Sequence, residues 1–98
     1  MAYLVKRTVT RPNTSVAFFS KSAGYDSGLN AEKSAGNLLS SSETTSDNGL
    51  TLVTTALWAN KAAHDAFSAN SSIQAFWQSR KDYNTANGIS VVLSKTEI

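Results

Sequence analysis

Residues 47–58 read DNGLTLVTTALW, and this stretch decides the fold. Asp47-Asn48-Gly49 carries hairpin-turn chemistry, because glycine reaches a positive φ without steric cost. Leu50 to Trp58 follow as a run of Leu, Val, Thr, Ala and Trp with no breaker, which predicts a long strand. A hairpin needs a strand on each side of its turn. Residues 40–46 read SSSETTS, a composition that alone suggests a linker. Their place before the turn makes them a polar edge strand, Ser40 to Ser46, and polar edges resist edge-to-edge aggregation.

Working outward, Ala2 to Arg11 alternate along a second strong strand that Pro12 stops. Tyr3, Val5, Arg7 and Val9 share one face, and Leu4, Lys6, Thr8 and Thr10 the other. Arg7 thus falls among inward side chains, where its stem can be buried while its head stays wet. Pro12 to Ser15 form a turn, and Val16, Phe18 and Phe19 make a short apolar knot read as one helical turn. Lys21 to Gly28 read as loop, and Leu29 to Leu39 as a helix weakened by Gly28 and Gly36.

Beyond Trp58, Asn60 is a candidate N-cap for a helix over Lys61 to Ser68, which breaks at Ser68-Ala69-Asn70. Ser71 and Gln74 have capping-box spacing for a restart. Ile73, Phe76, Trp77, Arg80 and Tyr83 then recur at helical spacing until Asn87-Gly88. Ile89 to Leu93 is the last strand, with Ser94 to Ile98 extending it or fraying.

The order strand, helix, hairpin, interrupted helix, strand is the βαββαβ arrangement of an α+β, ferredoxin-like domain spanning residues 1–98. Its four-stranded antiparallel sheet carries helices on one face. The other face then shows some of Leu4, Val53, Leu57 and Val92, and a homodimer would cover it. With 16% charged residues the chain has little electrostatic protection against self-association.

The chain has 98 residues, a formal net charge of +2 and no cysteine. Thiol chemistry and cysteine-bound metals are thereby excluded. The basic residues are scattered instead of forming a stripe, so no nucleic-acid partner is expected. The amino terminus alternates polar and apolar residues, and no apolar run nears the ~20 residues that span a bilayer. A cytoplasmic protein without a membrane partner is the expectation.

The run Asp47-Asn48-Gly49-Leu50, the strand end Leu57-Trp58, Phe67, and the stretch from Tyr83 to Ile89 resemble the dimeric α/β-barrel group that includes antibiotic-biosynthesis monooxygenase-like domains. The resemblance implies a homodimer with two sheets face to face and a small apolar cavity between sheet and helices in each subunit. Some oxygenases of this kind place an Asn four residues before the strand-end Trp. Here Trp58 is present and Thr54 stands at the Asn position. A hydroxyl offers one donor where an amide offers two, so the resemblance does not carry that chemistry over intact.

No G-x-S-x-G, G-x-G-x-x-G or phosphate loop occurs. His64, the single histidine, has Asp65 beside it in sequence, but adjacent helix residues do not face each other, and a surface or rim position is expected. With no second His, no Cys and dispersed carboxylates, no metal site is expected, and no cofactor is expected either. Phe67, Phe76, Trp77 and Tyr83 read as core, with a share available to line a pocket.

The expected protein is therefore a non-catalytic module with an apolar pocket for a small hydrophobic ligand such as a fatty acid or an aromatic. Candidate pocket residues are Arg7, Phe18, Phe19, Trp58, His64 and Phe67, with Arg80 a weaker polar candidate and the Phe18-Phe19 segment a lid. Arg7, as the one inward cation on a strand, would accept a single acidic or carbonyl group. The alternatives are a cofactor-independent monooxygenase-like enzyme and a viral or phage structural component. A filled core would favour the last.

Overall fold

The computed structural model describes residues 1–20 and 23–98. Its elements are β1 (Tyr3–Thr10), α1 (Ala23–Ser34), β2 (Leu38–Thr45), β3 (Thr51–Trp58), α2 (Lys61–Ser68), α3 (Ser71–Ala86) and β4 (Ser90–Glu97). The four strands form one antiparallel sheet in the order β2-β3-β1-β4. This is the ferredoxin-like α+β arrangement, with the second helix in two pieces.

Register fixes the two faces. Tyr3, Val5, Arg7 and Val9 pair with Trp58, Ala56, Thr54 and Leu52 of β3 and with Glu97, Lys95, Leu93 and Val91 of β4. This is the face the helices cover. Its core is Tyr3, Leu38, Trp58, Phe67 and Ile73, with Val5, Tyr25, Leu29 and Trp77 packed against it. The opposite face carries Leu4 and Thr8 on β1, Val53 and Leu57 on β3, and Val92 on β4. Val92 is 68% exposed, and no residue of β4 is buried.

The first helix lies earlier than the spacing implied. It starts at Ala23, inside the expected loop, whose Lys21 and Ser22 lie outside the described residues. Tyr25 and Leu29 pack on the core and override the low propensity of Gly24 and Gly28. The helix also ends sooner. Gly36, at φ +80°, donates to Lys33 O, and Asn37 donates to Glu32 O, the paired bonds of a Schellman end. Gly36 is thus the stop signal, which frees Leu38 and Leu39 to open β2. The Val16 to Phe19 knot is irregular, not helical.

The restart of the interrupted helix is capped by Asn70, not Ser71. Asn70 Oδ1 accepts from the Ser72 and Ile73 N–H groups at 2.9 and 3.3 Å, while Gln74 reaches back to Ser68 O. An Asn cap outranks the box because its carbonyl points directly at the free donors. Asn60 caps α2 as expected, accepting from Ala63 N at 2.8 Å.

The β2–β3 hairpin is wider than a two-residue turn. Gly49 N–H donates to Ser46 O at 2.9 Å, and Asn48 Oδ1 accepts from Leu50 N–H and from Ser46 Oγ. Asn48 keeps a negative φ, so only Gly49, at φ +74°, is left-handed. Arg11 then bonds Gly49 O at 2.8 Å and Val16 O at 2.9 Å, tying the segment after β1 to the turn.

Gly49→Val follows as a test. The added Cβ would stand 3.4 Å from Arg11 Nη2, at a φ that β-branched residues avoid. A cost of about 1–3 kcal/mol is expected, which lowers the melting temperature of a domain this size by roughly 5–20 °C. Calorimetry showing an unchanged melting temperature would remove Gly49 from the determinants of the turn.

Candidate functional site

Strand β1 sets the floor of the site. Alternation puts Arg7 on the covered face between Val5 and Val9, with Thr54 beside it on β3 and Leu93 on β4. Above that floor, α2 presents His64 and Phe67, one turn apart, and α3 presents Phe76, Trp77 and Arg80. Helix α1 adds Tyr25 and Leu29. The break between α2 and α3 prevents a continuous ridge over the sheet. A pocket of about 470 Å³ remains, and all of these residues except Val9 line it.

One end is aromatic. Trp58 is buried, with its ring 5.1 Å from Phe67 and 5.7 Å from His64. Tyr25 stacks on Phe76 at 4.1 Å and 11°, and its hydroxyl accepts from Trp77 Nε1 at 3.1 Å. These contacts lock the rings, so the wall is preformed.

The other end is cationic. Arg7 and Arg80 both line the pocket and both are half-buried. Burial, reinforced by the positive charge of Arg80, lowers the Arg7 guanidinium to about 10, against the opposing pull of Tyr25 and Glu43. Burial lowers Arg80 as well, with Tyr25 opposing it. Both remain charged at neutral pH.

His64 departs from expectation. It is 6% exposed, packed between Tyr3 at 5.1 Å and Trp58. Its Nδ1 lies 3.2 Å from Asp65 Oδ1, so these sequence neighbours do meet. The ring is held against the strand ends, which brings one edge to the adjacent carboxylate. Asp65 is also bonded to Lys61 at 2.7 Å, a four-residue spacing along α2.

The structure thus brings Arg7, Phe19, Trp58, His64 and Phe67 to one pocket. Phe18 is not part of it. The Arg11 guanidinium sits 4.4 Å over the Phe18 ring, and this contact turns Phe18 away while Phe19 packs on Phe76 and Tyr83. A two-residue lid is therefore reduced to Phe19. Tyr83 lies outside the pocket, its hydroxyl donating to Ala17 O at 2.6 Å.

Sequence reasoning missed Tyr25 and Glu43 and ranked Arg80 too low. The signal for Arg80 was its place on the apolar stripe of α3, four residues from Phe76. Among the described residues, no group of three or more His, Cys, Asp or Glu could hold a metal, and no helix is long and apolar enough to cross a membrane.

No protein-family model matches the chain, and no curated protein does. Solved structures do match. A Deinococcus radiodurans protein assigned as an antibiotic biosynthesis monooxygenase superposes with a TM-score of 0.64 at 14% identity, over 98% of this chain and 91% of its own. A dimeric ferredoxin-like protein from an uncultured marine organism gives 0.64 at 10% identity, over 99% and 94%. SnoaB, a cofactor-independent oxygenase from Streptomyces nogalater, gives 0.61 at 12% identity, over 99% and 92%. At these identities the likeness is one of fold, and the chain has the ferredoxin-like fold of antibiotic-biosynthesis monooxygenase-like proteins.

Proposed function

We propose that the chain is a homodimeric, non-catalytic module that binds a small hydrophobic ligand between its sheet and its helices. The observation that carries this is the pocket of about 470 Å³, walled by Trp58, Phe67, Phe76 and Trp77 on its aromatic side, with Arg7, Glu43, Arg80 and Lys95 among the polar groups that complete its lining. That size and lining fit small-molecule sites, which typically span ~300–1,000 Å³. A structural component would instead close its core, and the open pocket counts against that reading.

Catalysis has less support. Thr54 lines the pocket at the position where some oxygenases of this kind carry an Asn, and its hydroxyl offers one donor where an amide offers two. A cofactor-independent oxygenase remains the second reading, favoured by Trp58 and the His64–Asp65 contact at the pocket wall and by the fold shared with SnoaB. Dioxygen uptake in the presence of a bound hydroxylated aromatic would favour that reading over the first.

The dimer rests on the bare sheet face. Leu4, Val53, Leu57 and Val92 have no helix over them, and a fold neighbour of the same length class is described as dimeric. Face-to-face packing of two copies would bury more than ~1,000 Å² in total. Sedimentation at micromolar concentration should give twice the chain mass, and Val92→Glu should shift the protein toward monomer without unfolding it. A wild-type monomer under those conditions refutes the dimer.

Ligand binding is checked with Nile red, a neutral apolar dye. Saturable binding with quenching of the tryptophan emission is expected. Phe19→Ala, which removes part of the wall, should weaken binding by about tenfold, the ~1.4 kcal/mol of a partly lost ring contact. Phe18→Ala should leave the dye affinity alone and cost about 0.5–1 kcal/mol of stability through the lost Arg11 contact. Equal effects of the two substitutions on dye binding would overturn the assignment of the pocket wall.

A further inference from the structure

A second cavity, of about 430 Å³, lies between α3 and β4. It shares Arg7, Trp77, Arg80 and Leu93 with the larger pocket, so the two arginines stand at the partition between the two spaces. Its remaining walls are Lys81, Asn84, Thr85, Ile89 and Val91, with no carboxylate among them. Glu43 and Tyr25 offset only part of the cost of two half-buried guanidinium groups, and an anion between them would relieve their repulsion.

Asn84 supplies a second, independent observation. It follows Arg80 by one helical turn, is 6% exposed and lines the second cavity. Its Oδ1 is the buried side-chain polar atom left without a hydrogen-bond partner among the described residues. Its main-chain oxygen is used, accepting from Ile89 N–H at 2.9 Å. An unpaired buried acceptor costs about 1–3 kcal/mol, and native proteins keep few of them without a use. An unpaired acceptor on a residue that lines the same cavity as two cations points to a ligand that brings an anion and a donor together.

We propose that Arg7, Arg80 and Asn84 form a seat for a hydrophobic hydroxy-carboxylic acid. The carboxylate lies between the two guanidinium groups, the apolar body occupies the larger pocket, and the hydroxyl donates to Asn84 Oδ1 in the second cavity. A carboxylate fits better than a dianion, because Glu43 on β2, one strand beyond β3, already draws on Arg7. The planar fork of arginine suits a carboxylate in two-point contact. The assignment rests on the apolar-ligand reading above, which supplies the place for the hydrocarbon body.

The test compares three ligands of one chain length by calorimetry: 1-decanol, decanoate and 3-hydroxydecanoate. Decanoate should bind at least tenfold more tightly than decanol, and 3-hydroxydecanoate about fivefold more tightly than decanoate. In Arg80→Gln the advantage of the acid over the alcohol should fall to threefold or less, and Arg7→Gln should repeat this if it folds. In Asn84→Leu the hydroxy acid should bind no better than decanoate, with a melting temperature equal to or above that of the wild type. Equal binding of decanol and decanoate by the wild type overturns the anion seat while sparing the apolar pocket. A hydroxyl advantage that is absent from the wild type or survives Asn84→Leu overturns the role of Asn84. Acids that bind while decanol and Nile red do not would support the seat and overturn the apolar reading instead, and no binding by any of the three overturns both.

Discussion

The arrangement of this molecule depends on one constraint: a guanidinium sits in the middle of the covered face of the strand that pairs on both sides. β1 is bonded to β3 and to β4, so Arg7 has no sheet edge from which to escape. Dry burial of an unpaired charge costs several kcal/mol, more than a single contact in a small domain returns. The helices therefore cannot close over Arg7 as they close over Tyr3 and Val9. The side chains around it leave a gap, and the gap is the pocket.

The interruption of the second helix belongs to the same solution. An unbroken helix from Lys61 to Ala86 would lay one ridge across the sheet. Ending α2 at Ser68 lets Phe67 pack down on Trp58 while α3 starts afresh from the Asn70 cap. The break costs a few main-chain bonds, and the Asn70 side chain replaces two of them. The result is a tight aromatic end at Trp58 and an open cationic end at Arg7 and Arg80. Tight packing and open space thus occupy opposite ends of one layer.

Much of this was legible in the chain. Period-two alternation located β1 and the face of Arg7, and the break at Ser68-Ala69-Asn70 located the gap. Local signals failed where tertiary contacts outweighed them. Gly24 and Gly28 look like loop, yet Tyr25 stacking on Phe76 holds that segment helical. Phe18 and Phe19 are indistinguishable in sequence, and only the position of Arg11, itself pinned by the hairpin turn, separates them. Residues that share a pocket from seven different elements leave no common spacing to read.

The arginine pair also bears on how fold relates to function. Ferredoxin-like sheets host many chemistries, so the shared architecture with an oxygenase and with a dimeric ferredoxin-like protein assigns no reaction. What distinguishes this chain is what it leaves uncompensated. The charge of Arg80 disfavours Arg7 as a cation, burial disfavours both, and the buried Asn84 Oδ1, on a residue that lines the adjoining cavity, lacks a donor. A core selected for stability alone would replace these groups with leucine or methionine, which pack without desolvation cost. Departures from local consistency concentrate where a partner molecule completes the chemistry. In this chain Arg7 and Arg80 fall on the wall shared by two cavities and Asn84 lines the second, which is why the proposed ligand seat is placed there.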